Sequence, residues 1–255
     1  MKRIILLWIL SIQILFSASN EEVLSYLSLS HSEQEVVSIG QVFDSMRQTQ
    51  ENNESNASTT DVVIVYQEYL EDHISSNEIA DILTLYRLPI MNRYVSEVKN
   101  FNINQEDMNA FLASLEEEPL LTEREDIANA IVEVLINEEL QLNFYRSMMQ
   151  RYSDSNSSKN SENNESNMSP REESYVNSMK KASKNKLLYG SQVFSLEEMN
   201  ELKDAIESSI FKKIKRVESE ALVQIMNNFI QGIVSEPKRP KEEKKKIKPQ
   251  IPSSE

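Results

Sequence analysis

The stretch FSLEEMNELKDAIESSIFKKIKRVESEALVQIMNNFI, Phe194–Ile230, decides the fold class. Met199, Leu202, Ile206, Ile210, Ile214, Val217, Leu222, Ile225, Phe229 and, just beyond, Ile233 recur three to five residues apart and draw one apolar stripe along a helix. No proline interrupts between Leu196 and Ser235, which predicts one long amphipathic helix or two collinear ones. Ser195 opens it. Glu198, three positions on, completes a capping box, in which the hydroxyl accepts from one orphan amide and the carboxylate returns to another. The same opening is predicted at Ser32 with Glu35, Ser75 with Glu78 and Thr122 with Glu125, and a weaker one at Asn104 with Asp107. Such starts, in a chain with three glycines and almost no strand alternation, predict an all-α protein.

Working outward, Ile74–Tyr94 (ISSNEIADILTLYRLPIMNRY) lies on Phe194–Ile214 without a gap. Ser75 falls on Ser195, Glu78 on Glu198, Ile79 on Met199, Ile82 on Leu202, Tyr86 on Ile206, Ile90 on Ile210, Met91 on Phe211 and Arg93 on Lys213. Upstream, VFDSMRQ (Val42–Gln48) parallels FYRSMMQ (Phe144–Gln150), and ENNESN occurs at Glu51–Asn56 and again at Glu162–Asn167. Any two amphipathic helices share apolar spacing by chance, but three features recurring in one order favour duplication. The expected architecture is a tandem repeat of two related helical bundles joined by polar linkers, with a long C-terminal amphipathic helix and a disordered basic tail. The boundaries are 20–100 for the first unit (linker 50–60), 101–122 for a connecting helix, 123–235 for the second unit (linker 153–170) and 236–255 for the tail. The linkers are rich in Asn, Ser and Glu and cannot bury enough apolar surface to offset the entropy of ordering.

In the second unit Phe194, Ser195, Glu197, Glu198, Met199 and Lys213, and in the first Ile74, Ser75, Glu78, Tyr86, Pro89 and Arg93, resemble the F-S/T-x-E-E-L…F-Y-x-S-P-x-G-x-K pattern of a bacterial periplasmic family of unknown function, DUF 2059. The family glycine is Met91 in one unit and Phe211 in the other, and Ser209 stands where the second unit would carry the proline. The resemblance implies an exported all-α protein and brings no catalytic residues.

The chain opens MKRIILLWILSIQILFSASNEE, in which Lys2 and Arg3 precede the apolar run Ile4–Phe16 and Ser17 and Ser19 supply small residues before a cut. This reads as a signal peptide over 1–19, too short to span a bilayer. No cysteine is present for a lipid anchor or a disulfide, which favours a bacterial periplasm and a fold held by apolar packing alone. Removing Lys2 and Arg3 leaves 25 basic residues against 41 acidic ones, a net charge of −16. The tail from Pro237 carries seven Lys/Arg and three Glu, or +4, so the body before it carries −20. An acidic body argues against nucleic acid as partner.

N-x-S occurs at Asn53, Asn56, Asn156, Asn164 and Asn167, all within the linkers, and each has an acid two positions earlier. That matches the extended acceptor of bacterial N-glycosylation, which makes these five the candidate sites. Catalytic and metal motifs are another matter. His31 and His73 each stand alone near a helix start, as capping or surface residues would. Gly40, Gly190 and Gly232 lie too far apart for a phosphate loop, no serine sits in a nucleophile elbow, and no catalytic residue, metal set or cofactor is nominated. Tyr66, Tyr69, Tyr86 and Tyr94, with Met91, read as packing between the units or as a groove for a partner. The expected role is binding or scaffolding in the cell envelope with an unidentified protein or envelope partner, and not catalysis. The alternatives are a periplasmic chaperone or carrier with an apolar groove between the units, and an enzyme of unrecognised type. The tail is expected to be solvated, or to make weak electrostatic contact with membrane or wall.

Overall fold

The structure is a computed structural model that describes residues 17–48, 59–99, 104–117, 120–154 and 168–230. Among these residues every regular element is helical. In chain order they are α1 (Asn20–Ser30), α2 (Ser32–Gln48), α3 (Thr59–His73), α4 (Ser76–Tyr86), α5 (Pro89–Arg93), a π-helical turn (Tyr94–Val98), α6 (Gln105–Glu117), α7 (Thr122–Leu135), α8 (Glu138–Asp154), α9 (Pro170–Gly190), α10 (Leu196–Glu207) and α11 (Ser209–Ile230). Helices α3 and α8 therefore take in Thr59, Thr60, Ser153 and Asp154 from the ends of the expected linkers. The tail 236–255 lies outside the described residues.

Capping decides where these helices begin. Two of the expected boxes form: the Ser75 and Ser195 hydroxyls accept from the amides of Glu78 and Glu198, whose carboxylates accept from the serine amides. Asn104 Oδ1 also caps, accepting from the Glu106 amide at 2.9 Å. Two boxes do not form. Leu121, not Thr122, is the N-cap of α7 and makes no side-chain cap, while Glu125 pairs with Lys184 at 3.0 Å. Glu35 pairs with Lys99 at 3.0 Å, and the Ser32 hydroxyl accepts from Ser30 Oγ at 2.9 Å. In both cases a lysine from another element outbids the local cap. Two further boxes appear at Ser19 with Glu22 and Ser169 with Glu172.

The first of these has a consequence at the N-terminus. Ser17–Ser19, read from the sequence as the end of a leader, are built into the fold: the Ala18 amide donates to Ile74 O at 2.8 Å and Ser76 Oγ donates to Ser17 O at 3.1 Å. Ala18 is buried. A chain beginning at Asn20 loses the α1 cap and is expected to unfold about 1–2 kcal/mol more easily than one beginning at Ser17. Urea denaturation of the two chains reads the difference, and equal midpoints would show that the cap contributes nothing.

The long C-terminal stripe is broken rather than continuous. Ser208 takes φ −57° and ψ 148°, and its hydroxyl accepts from the Phe211 amide at 3.3 Å, so a new helix starts at Ser209. Leu88, before Pro89, takes nearly the same conformation, φ −60° and ψ 140°.

Packing follows from the apolar faces. Helix α1 lies on α3 and α4, and α7 lies on α9 and α10; α2 pairs with α3, and α8 with α9. The 22-residue α11 crosses α3, α4 and α8, α10 meets α5, and α9 meets the π-turn. One continuous core results, with Tyr26, Leu70, Ile79 and Met91 from the N-terminal half and Ile131, Leu202, Ile206 and Phe211 from the C-terminal half. Tyr66, Tyr86 and Tyr94 are buried in it, and Tyr69 stacks on His73 at 3.8 Å. At its rim the Arg93 guanidinium pairs with Glu198 and lies 4.2 Å over the Phe194 ring, while the Lys213 ammonium pairs with Glu78. No helix among the described residues is long and apolar enough to cross a membrane.

Candidate functional site

The least expected chemistry lies where the two halves meet. On α11, Phe211, Ile214, Glu218, Ala221 and Ile225 occupy one helical face, and all five are buried. A carboxylate in that series must be paired, because a bare buried charge is far too costly. Glu218 accepts from Tyr26 Oη at 2.7 Å and from Lys215 Nζ at 2.6 Å. Burial alone would raise its pKa, but the charges of Lys215 and Lys99, with those hydrogen bonds, hold it at about 2. Burial pushes the Tyr26 and Tyr66 phenols well up, and the Glu218 charge adds to it.

Lys99 follows the π-turn and is itself buried. It donates to Ser30 O at 2.7 Å and to Glu35 at 3.0 Å. Burial lowers its pKa, against the pull of Glu35 and with the push of Lys215. Burial also pulls Lys186 down, again against Glu35. Lys215 goes the other way: burial works against its charge, but Glu218 and Glu35 outweigh that and hold it well above 10.5.

Lys99, Lys186, Lys215 and Glu35 line a partly enclosed cavity of about 250 Å³. Its polar wall is Glu35 from α2, Lys99, Ser183 and Lys186 from α9, and Lys215 from α11. Its apolar wall comes from the end of α7 and from the rings of Tyr86, Tyr94 and Phe211. Leu135, Ile136 and Lys215 also line a neighbouring, wider and more open depression of about 520 Å³. Chemically the site can hold a small molecule by ionic hydrogen bonds at one end and apolar contact at the other.

The five candidate glycosylation residues, Asn53, Asn56, Asn156, Asn164 and Asn167, lie outside the described residues. One sequon nevertheless touches the fold, because Ser169, the third residue of the sequon that begins at Asn167, is the N-cap of α9 and its hydroxyl accepts from the Glu172 amide. His31 closes α1 in the left-handed conformation, and the His73 ring nitrogen Nδ1 lies 2.8 Å from Tyr69 O. The sequence reading did not single out Lys99, Lys186, Lys215 or Glu218, and took Glu35 only as the partner of a capping box at Ser32. Glu218 alone carried a signal, a charge on the apolar face between Ile214 and Ala221.

Compared with known proteins, the chain matches no family model, no curated protein and no solved structure.

Proposed function

We propose that this is an exported binding protein of the bacterial cell envelope, built as a tandem repeat whose two sibling halves form a small-molecule site where they meet. The observation that carries the reading is the polar cavity itself. A protein held only by packing gains little from burying Glu218 and Lys99, since buried ion pairs are often neutral or worse for stability. Several correspondences support the duplication. Ser75 and Ser195 both anchor capping boxes, and Leu88 and Ser208, also 120 residues apart, break their helices with nearly the same dihedral angles. The ion pairs are reciprocal, Arg93 to Glu198 and Lys213 to Glu78, as in an isologous interface. The kinship with DUF 2059 belongs to the same proposal.

Native mass spectrometry of the protein taken from its own envelope tests the reading, with a bound small molecule as the expected result. Replacing Ser183 by Phe fills the cavity and is expected to expel that molecule. A chain that arrives empty, and stays empty with every small molecule offered, would end the binding proposal.

N-glycosylation of the linkers is part of the proposal, with the acid at position −2 of each sequon as its support. Sugar is expected on peptides carrying Asn53, Asn56, Asn156 and Asn164. Asn167 should carry the least, because folding engages the Ser169 hydroxyl that a transferase must reach. Glycopeptide mass spectrometry ranks the five, and equal occupancy at Asn167 would show that modification precedes folding of α9.

A further inference from the structure

We infer that the cavity between the halves takes a small organic monocarboxylate, its head among Lys99, Lys186 and Lys215 and its apolar body against Leu135, Ile136 and Phe211; this rests on the binding role proposed above. The first argument is charge. Among the described residues three ammonium groups, Lys99, Lys186 and Lys215, line the cavity beside the Glu35 carboxylate, so its polar end presents more donors than acceptors to a bound head group.

The second argument is donor capacity. An ammonium carries three N–H groups. Lys99 spends two, on Ser30 O and Glu35, and Lys215 spends one on Glu218. Donors thus remain on two lysines that border the same space, and a carboxylate has two oxygens to accept them. Lys99 and Lys215 also repel each other, a cost that an anion between them relieves. The third argument is the opposite wall. Leu135, Ile136 and the Phe211 ring offer contact that a bare inorganic ion cannot use. The volume, about 250 Å³, holds roughly eight waters, so the ligand is the size of an aromatic or short branched acid.

Titration calorimetry of the full chain at pH 7 with four probes tests this: benzoate, benzyl alcohol as neutral isostere, benzylamine as cation and inorganic phosphate. Benzoate is expected to bind at least tenfold more tightly than the other three. Lys186→Met and Lys99→Met should each weaken benzoate at least tenfold, whereas Lys181→Met, on the exposed side of α9, should leave it unchanged. Lys186→Met leaves both the Lys99–Glu35 and Lys215–Glu218 pairs in place and decides the question if Lys99→Met fails to fold. Ser183→Phe should abolish binding without removing a charge. Equal binding of benzyl alcohol or benzylamine overturns the carboxylate and leaves the cavity's binding role standing. Tighter binding of phosphate overturns the apolar half of the assignment. Benzoate binding that survives Ser183→Phe and Lys186→Met places it elsewhere and also overturns the proposal.

Discussion

Glu218→Ala is expected to lower the unfolding free energy by about 3–5 kcal/mol, the range for breaking a buried pair from one side. The cost comes from what remains. Lys215 loses the carboxylate that holds its ammonium at 2.6 Å, Lys99 loses a compensating charge, and the buried Tyr26 hydroxyl loses its acceptor. Replacing the pair together, Glu218→Leu with Lys215→Met, removes the desolvated charges and should return most of that loss. Urea denaturation measures both. A loss below about 1 kcal/mol in the single variant would mean that water repairs the site.

The same group sets an acid limit. With a folded pKa of about 2 against an ordinary 4.5, Glu218 binds fewer protons folded than unfolded. Its contribution is therefore complete above about pH 4.5 and is lost as pH falls toward 2. Lys215, held above 10.5, contributes fully below that value and loses its contribution at higher pH. Lys99 is shifted the opposite way, so its ammonium opposes folding until alkaline pH discharges it. Glu218→Gln should flatten the acid limb while leaving the neutral plateau closer to the parent than Glu218→Ala does.

Local signals were legible in the sequence, and partner choice was not. Apolar spacing marked helices over nearly every described segment, and Ser75, Asn104 and Ser195 start theirs as their sequence contexts predict. Ser32 and Thr122 had equal local claims, but Lys99 and Lys184 approach from elsewhere in the chain and take the glutamates each box needed. Ser19 and Ser169 were overlooked because their surroundings read as leader and linker. The break at Ser208 carries no proline or glycine, only a serine pair that caps the next helix. The cavity was the least legible feature. Its lysines sit 87 and 29 residues apart, at positions 99, 186 and 215, and in isolation each reads as a solvated surface charge. Only the packing of α9 on the π-turn, with Lys215 of α11 reaching the same cavity, brings them to one space.

Gly190→Ala should destabilise the protein by about 3 kcal/mol, although local rules predict the reverse sign. Gly190 is the last residue of α9, and alanine there would gain up to about 1 kcal/mol in helix propensity. A Cβ at this point, however, would stand 2.7 Å from Val98 Cα and 2.8 Å from Glu97 O. Both are backbone atoms, so no side chain can swing aside, and either α9 or the π-turn must move. That movement propagates to the site. Lys99 follows the turn directly, and Lys186 lies one helical turn before Gly190. The variant should therefore lose both stability and benzoate affinity, whereas Glu97→Ala, which keeps the close backbone approach, should spare both. Thermal unfolding with calorimetry on the two variants separates the effects. A Gly190→Ala protein more stable than its parent would mean that α9 and the π-turn do not meet as closely as the fold requires.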